Sequence, residues 1–281
     1  MKVRLLTIFA AVFSLCTLAT FGHAQKMTAE EIVAKSLAAV GTPEDRSKLI
    51  NVTAAGTVAY TQDSVIAAPS TGKVVIASEG NKLLLAMTFP STTYQFEKLA
   101  YDGKDLRVAF TRPGVRSTFG DFIWRYDGLV KEGIFGGVLG KGWSLTDLAA
   151  HKAKLSFEGT KKIEGKEAYV LSYLPKKGAD ISIKLYFDKE TFRHVRTEYF
   201  RSISGLMGSS PEASAGQVDN HENLVEDFSN FKTEMGVTLP RTYKIFLHTE
   251  RGKNTYEYFY TIGLADFYYN SKLDDGTFLA E

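Results

Sequence analysis

Apolar and polar residues alternate along most of this chain, in short runs separated by turn signals. The stretch "VEDFSNFKTEMGVTLPRTYKI" (225–245) alternates up to Met235-Gly236 and then resumes as Val237, Leu239, Tyr243 and Ile245. That pattern predicts one strand turning back into another. "GKVVIAS" (72–78) and "NKLLLAMTF" (81–89) flank Glu79-Gly80 in the same way. "TYQFEKLAYDGKDLRVAFT" (93–111) folds about Asp102-Gly103, a pair suited to the positive φ of a tight hairpin turn. Two more pairs are predicted over 153–174, about Glu164-Gly165, and over 179–200, about Asp188–Thr191. The second sets Ile181, Ile183, Leu185 and Phe187 on one face. With Ile50–Tyr60 and "NTYEYFYTIG" (254–263), which puts Tyr256, Tyr258 and Tyr260 on one face, roughly ten strands are expected. Short connections between so many strands predict a sandwich, a barrel or a curved open sheet.

Two stretches break the alternation. Thr28-Ala-Glu-Glu31 is a capping box, and Ile32, Val33, Leu37 and Val40 follow at helical spacing. This predicts a short amphipathic helix packed on a sheet, with Gly41 as a left-handed cap. The second stretch, "FGDFIWRYDGLVKEGIFGGVLGKGW" (119–143), spaces Phe122, Tyr126, Leu129 and Val130 as a helix does, after Thr118 and Asp121 as starting residues. Seven of its 25 residues are glycine. Each costs about 1 kcal/mol relative to alanine inside a helix, so short helical pieces are expected rather than one rod. Phe119, Trp124, Ile134, Phe135, Leu139 and Trp143 must bury somewhere. A greasy insert over about 117–150, between two sets of strands, suits a lid over a concave sheet face.

The first residues change the picture of where this happens. Lys2 and Arg4 precede an uncharged apolar run from Leu5 to Phe21, then Gly22-His23-Ala24. This is the pattern of an export signal, cleaved after Ala24, and it predicts an exported protein. An uncleaved anchor is the rival reading, because about 17 apolar residues only marginally span a bilayer. Cys16 sits inside the run behind Leu15, where a lipoprotein signal needs a small residue. The chain from Gln25 to Glu281, expected as a single domain, has no cysteine for disulfides and no later apolar run long enough to span a membrane. Without Lys2 and Arg4 it carries 32 basic and 32 acidic residues, a balance that argues against a nucleic-acid partner.

Catalytic patterns are absent: there is no His-Glu-x-x-His, no cysteine pair and no Gly-x-Ser-x-Gly elbow. "GGVLGKG" (136–142) fails as a phosphate loop, with Phe135 in place of the first glycine and Gly142 in place of the Ser/Thr. "DNHEN" (219–223) offers Asp219, His221 and Glu222 as metal ligands, though a solvated loop is the simpler reading. His194 and His248, beside Arg or Glu, suit a polar sheet face. Arg193, Arg196 and Arg201 do not share one strand parity, so cross-strand ion pairs are expected rather than an anion site. No metal, no cofactor and no enzyme activity are expected. Aromatic residues make up 12% of the chain, enough to fill a β core or to wall a hollow.

The order of these pieces resembles a known family. An export signal, a first helix "TAEEIVAKSLAAVG" (28–41), antiparallel strands, a helical insert, more strands and a late "GVTLPRTYKI" (236–245) look like the LolA/LolB-type periplasmic lipoprotein carriers. They look most like the broader set called outer membrane lipoprotein-sorting proteins. The resemblance covers most of the exported chain in layout and only short phrases in residues. It implies a mainly β fold: a strongly curved antiparallel half-barrel with an N-terminal helix and a glycine-rich helical lid. It also implies a cavity for acyl chains and no catalysis. The chain is longer than the dedicated carriers, and the arginine that the carrier uses has no counterpart that can be located here. The implied partner is a lipid or the acyl chain of a lipoprotein. Wall residues would be Leu83, Leu85, Met87, Phe96, Ile183, Leu185, Tyr243 and Ile245; the lid would be Phe122, Trp124, Leu129, Phe135 and Trp143. On this view, truncating Phe122 or Trp143 weakens lipid retention. The competing readings are a filled core, an envelope sensor or assembly module recruiting a protein through a sheet edge or loop 202–223, and a hydrolase using His151 or His221.

Overall fold

The computed structural model describes residues 27–63, 69–176, 180–203, 220–252 and 254–279. Residues 1–24, expected to be an export signal, and most of loop 202–223 lie outside them. The capping box forms as expected: Thr28 Oγ1 accepts from Glu31 N, Glu31 Oε2 accepts from Thr28 N, and helix α1 runs Ala29–Val40. Its Ile32 and Val33 are buried against the sheet. Gly41 is extended rather than left-handed (φ 159°, ψ 168°), because Thr42-Pro43 starts a second short helix at once, α2 (Pro43–Lys48).

Among the described residues twelve strands follow in one antiparallel sheet, where the sequence pattern yields roughly ten. They are β1 (Asn51–Gln62), β2 (Ser70–Glu79), β3 (Lys82–Thr88), β4 (Phe96–Tyr101), β5 (Leu106–Val108), β6 (Lys154–Ile163), β7 (Lys166–Leu174), β8 (Ser182–Asp188), β9 (His194–Ile203), β10 (Asn220–Glu234), β11 (Val237–Arg251) and β12 (Asn254–Tyr269). The spatial order is β5-β4-β3-β2-β1-β12-β11-β10-β9-β8-β7-β6, an open sheet that does not close on itself. Each sequence-predicted turn falls between neighbours in this order. Register shifts at Ala55/Gly56, Phe157/Gly159 and Tyr186/Phe187 mark bulges, which bend a sheet and sharpen its twist.

The two edge strands, β5 and β6, are consecutive in sequence except for the glycine-rich insert between them. The chain therefore crosses the full width of the sheet, and it does so over the inner face. It forms α3 (Thr118–Arg125), α4 (Gly128–Lys131), 3-10 turns at Gly137–Leu139 and Ser144–Asp147, and α5 (Leu148–His151). Ser117, not Thr118, is the cap: its Oγ accepts from Gly120 N. One core results, in which side chains of α1 and the insert meet Val52 and Val58 of β1, Leu85 of β3, Leu171 of β7, Leu185 of β8, Leu224 of β10 and Ile245 of β11. The outer face holds only small apolar clusters, one of them closed by Phe278 against Ala77, Leu84 and Ala100. No helix among the described residues is long and apolar enough to cross a membrane.

Candidate functional site

Strand parity decides which candidate residues reach the inner face. Leu83, Leu85 and Met87 of β3, Ile183 and Leu185 of β8, and Tyr243 and Ile245 of β11 all face inward and are buried in the main core. Phe122, Leu129, Phe135 and Trp143 of the insert are buried in the same core. Phe96 and Trp124 are not part of this assembly. Met87 pairs with Glu97 and Thr88 with Phe96, so Phe96 points to the outer face with Ala100. Trp124 lies on the solvent side of α3, 49% exposed, with the Arg116 guanidinium 4.6 Å from its ring centroid. Tyr256, likewise, is 36% exposed and does not join Tyr258 and Tyr260 inside.

The insert fills the concave face with its own side chains. Between α1, the insert and the sheet there remains a slot of about 60 Å³ lined by Leu37, Val40, Val138, Leu139, Val237 and Leu239. A wider cleft of about 420 Å³ opens where the insert meets β8, with Tyr126, Leu129, Ile134, Ile181 and Ile183 in its wall. Its size is that of an ordinary small-molecule site, about 300–1,000 Å³.

Three glutamates on the inner face hold the insert down. Glu222 of β10 receives both terminal nitrogens of Arg125, at 2.7 and 2.9 Å, and Tyr126 Oη at 2.8 Å. Glu97 of β4 receives Ser117 Oγ and, at 2.7 Å, Tyr94 Oη; Tyr94 is in turn 3.0 Å from Tyr260 Oη. Glu226 of β10 receives the backbone N–H of Gly136 at 2.8 Å, Tyr199 Oη at 2.6 Å and Tyr243 Oη. Burial pushes Glu97 and Glu226 up to about 7, against the pull of these hydrogen bonds. Burial also raises Tyr199 and Tyr243 well above the usual phenol value.

Beside Glu226 sits His194, which corrects its expected place on a polar face. The bulge pairs Phe187 with His194 and Tyr186 with Arg196, so the extra residue turns His194 inward. Its ring stacks on Trp143 (centroids 5.2 Å apart) and meets Phe228, Nε2 lies 3.0 Å from Thr197 Oγ1, and burial drives it down to about 3. His248 keeps the expected polar setting between Glu250 and Glu257. His221 stacks on Phe200 and Glu222 is committed to Arg125, so neither is set up as a metal ligand; among the described residues no group of three His, Cys, Asp or Glu side chains could hold a metal. Arg196 forms the cross-strand pair with Asp227 at 2.6 Å.

Glu97, Glu226 and His194 are the site residues that the hydrophobic pattern passes over. The signal was present for the first two: Glu97 shares parity with Leu99 and Tyr101, and Glu226 with Leu224 and Phe228. The insert's turns depend on Gly133, at φ +69°, where an added Cβ would stand 1.9 Å from Gly142 O. Gly133→Ala is expected to cost about 2 kcal/mol or more through the left-handed backbone and the clash. Faster amide exchange over 133–145, with the sheet amides unchanged, is the outcome to measure; equal loosening of the whole chain would contradict it.

No protein-family model matches the sequence, and no curated protein matches it. Solved structures do. A LolA superfamily protein from Nitrosomonas europaea is 14% identical, with a TM-score of 0.46 over 90% of this chain and 98% of that one. A DUF1329 family protein from Desulfovibrio piger is 14% identical, with a TM-score of 0.46 over 88% and 95%. An outer membrane lipoprotein-sorting type domain from Vibrio parahaemolyticus is 12% identical, with a TM-score of 0.44 over 88% and 97%.

Proposed function

We propose that this protein is a non-enzymatic periplasmic binder of an acyl chain, which it takes up on the inner face of the sheet by displacing part of the insert. The observation that carries this reading is the cover itself: an apolar wall is shielded by short helical pieces broken at glycines. Continuous elements would shield it more stably.

Magnitudes say how much of the insert moves. Eleven apolar side chains of the insert, from Phe119 to Leu145, are buried. At roughly 2 kcal/mol each, their docking is worth on the order of 20 kcal/mol before entropy. A chain of about a dozen carbons gains roughly 10 kcal/mol at about 0.8 kcal/mol per methylene. It cannot strip the whole insert. It can replace Ile134, Phe135, Val138 and Leu139, which lie between Gly133 and Gly142 and contribute roughly 8 kcal/mol together. That segment is bounded by glycines on both sides and borders the 420 Å³ cleft at Ile134, which gives the chain a place to enter.

Native mass spectrometry of protein purified from its own envelope, followed by solvent extraction, tests the reading. A co-purifying acylated molecule, or saturable uptake of added fatty acyl probes, is expected. A bare polypeptide that ignores every acyl probe sinks it.

A further inference from the structure

The site under Gly136-Gly137 is polar in the middle of an apolar wall, and that calls for an account. Glu226 is completely buried, and no Lys or Arg among the described residues pairs with it. Its carboxylate takes three donors, and two of them, Tyr199 and Tyr243, belong to the sheet itself. The third, Gly136 N–H, belongs to the segment that has to leave. Next to it, His194 Nδ1 has no hydrogen-bond partner among the described residues, and a Cβ on Gly137 would stand 3.0 Å from that atom. Glu226 pairs in register with Thr197, whose Oγ1 meets His194 Nε2, so the groups form one contiguous patch. A purely apolar guest would lift Gly136 away and strand a buried carboxylate one donor short, at a cost of about 1–3 kcal/mol.

We infer that Glu226, Tyr199, Tyr243 and His194 form a polar subsite for the head of the acyl ligand, which binds there through an N–H donor, amide or ammonium, in the place of Gly136 N–H. The subsite rests on the acyl-chain reading and narrows it. An N-acylated amine or an alkyl ammonium completes the donor set of Glu226. A free fatty acid or a phosphate head brings acceptors and negative charge to a carboxylate that has no cation beside it, and is rejected.

The test uses the exported chain (25–281) with Trp124→Phe, which leaves Trp143 as its single tryptophan, stacked on His194 at the insert's contact with the sheet. Its emission is titrated at pH 8 with four twelve-carbon probes: N-methyldodecanamide, dodecylammonium, methyl dodecanoate and dodecanoate. The two donors are expected to bind about tenfold or more tighter than the ester, and dodecanoate weakest. Glu226→Gln is expected to shrink the donor preference to about threefold or less while the ester still binds. Tyr243→Phe, which leaves a carboxylate lone pair open, is expected to widen it and serves if the Gln variant does not fold. Equal binding of all four probes, or an unchanged preference in Glu226→Gln, overturns the subsite and leaves the acyl reading standing. Failure of every probe to bind overturns both. Preference for the ammonium alone, with the amide no better than the ester, also overturns it, since bare charge attraction then explains the result.

Discussion

Trp143→Ala is expected to loosen the insert by about 3–5 kcal/mol while leaving the sheet folded. The indole is 2% exposed and fully enclosed by the insert and the inner wall, with its ring on His194. Its removal opens a cavity at the C-terminal end of the Gly133–Gly142 segment, which Lys141 N on Ser78 Oγ and Ser144 N on Gly133 O also help to hold. The ladder from β5 to β6 does not pass through this residue, so amide protection in the strands is expected to persist while exchange over 119–145 speeds up. The effect on ligand has the opposite sign to what the hydrophobic pattern alone suggests. A lid that merely covers a filled cavity loses its grip when truncated. In the proposed function the side chains of the insert occupy the wall that an acyl chain would need, so the insert acts as a competitor. A protein whose binding-competent state is rare has its apparent affinity reduced by that rarity, and loosening the closed state removes the penalty. About 3 kcal/mol corresponds to roughly a hundredfold, so apparent affinity for an acyl probe is expected to rise by up to that factor. Isothermal titration of the variant beside the parent chain measures it. Weaker binding together with an intact sheet would mean that Trp143 touches the ligand. Collapse of strand protection along with the insert would mean that the insert is simply core.

Much of the fold was legible in the sequence because each signal was local. The hairpin turns at Gly80, Gly103, Gly165 and Gly236 are written in two residues each, and all four glycines adopt positive φ. The capping box at Thr28–Glu31 is likewise complete within four residues. The inner face was legible wherever alternation ran unbroken, as in Leu83-Leu85-Met87 and Ile183-Leu185-Phe187. It failed where parity depends on something distant. Phe96 is the exception, since its own strand's parity, opposite to that of Leu99 and Tyr101, already sets it outward, in agreement with its register with Thr88. His194 was misplaced by a bulge, which a strict two-residue period cannot represent. Trp124 faces solvent because α3 is only eight residues long and its buried stripe is already taken by Phe119, Phe122 and Ile123. The carboxylate clamps are only half legible: parity sets Glu97 and Glu226 among inward-facing residues, but the partners Ser117, Arg125 and Gly136 reach Glu97, Glu222 and Glu226 only once the insert lies over the sheet.

Those clamps make stability depend on pH in an unusual direction. Glu97 and Glu226 rise from 4.5 to about 7 on folding. An acid with a raised folded value binds its proton more tightly in the folded chain, so its stabilisation is complete below about pH 4.5 and lost as pH climbs through about 7. Each contributes on the order of 3 kcal/mol at about 1.4 kcal/mol per pKa unit. His194 runs the other way: its value falls from 6.5 to about 3, so its contribution is present above 6.5 and lost as pH drops. Between pH 4.5 and 6.5 one histidine offsets one glutamate, and between 6.5 and 7 both glutamates act unopposed. The balance is a loss on the order of 4 kcal/mol between pH 4.5 and 7.5. Urea midpoints of the parent chain at pH 5 and pH 8 are expected to differ accordingly, with the lower pH more stable, and Glu97→Gln/Glu226→Gln is expected to reverse the difference by about 2 kcal/mol, because His194 is then left to titrate alone. A parent midpoint that is level or rises from pH 5 to pH 8 would remove the clamps from the account. Both carboxylates sit where the insert meets the wall, at Ser117 and at Gly136, so the energy lost on ionisation is lost from that contact first. Neutral pH therefore favours the same opening of the insert that the proposed uptake of an acyl chain would require.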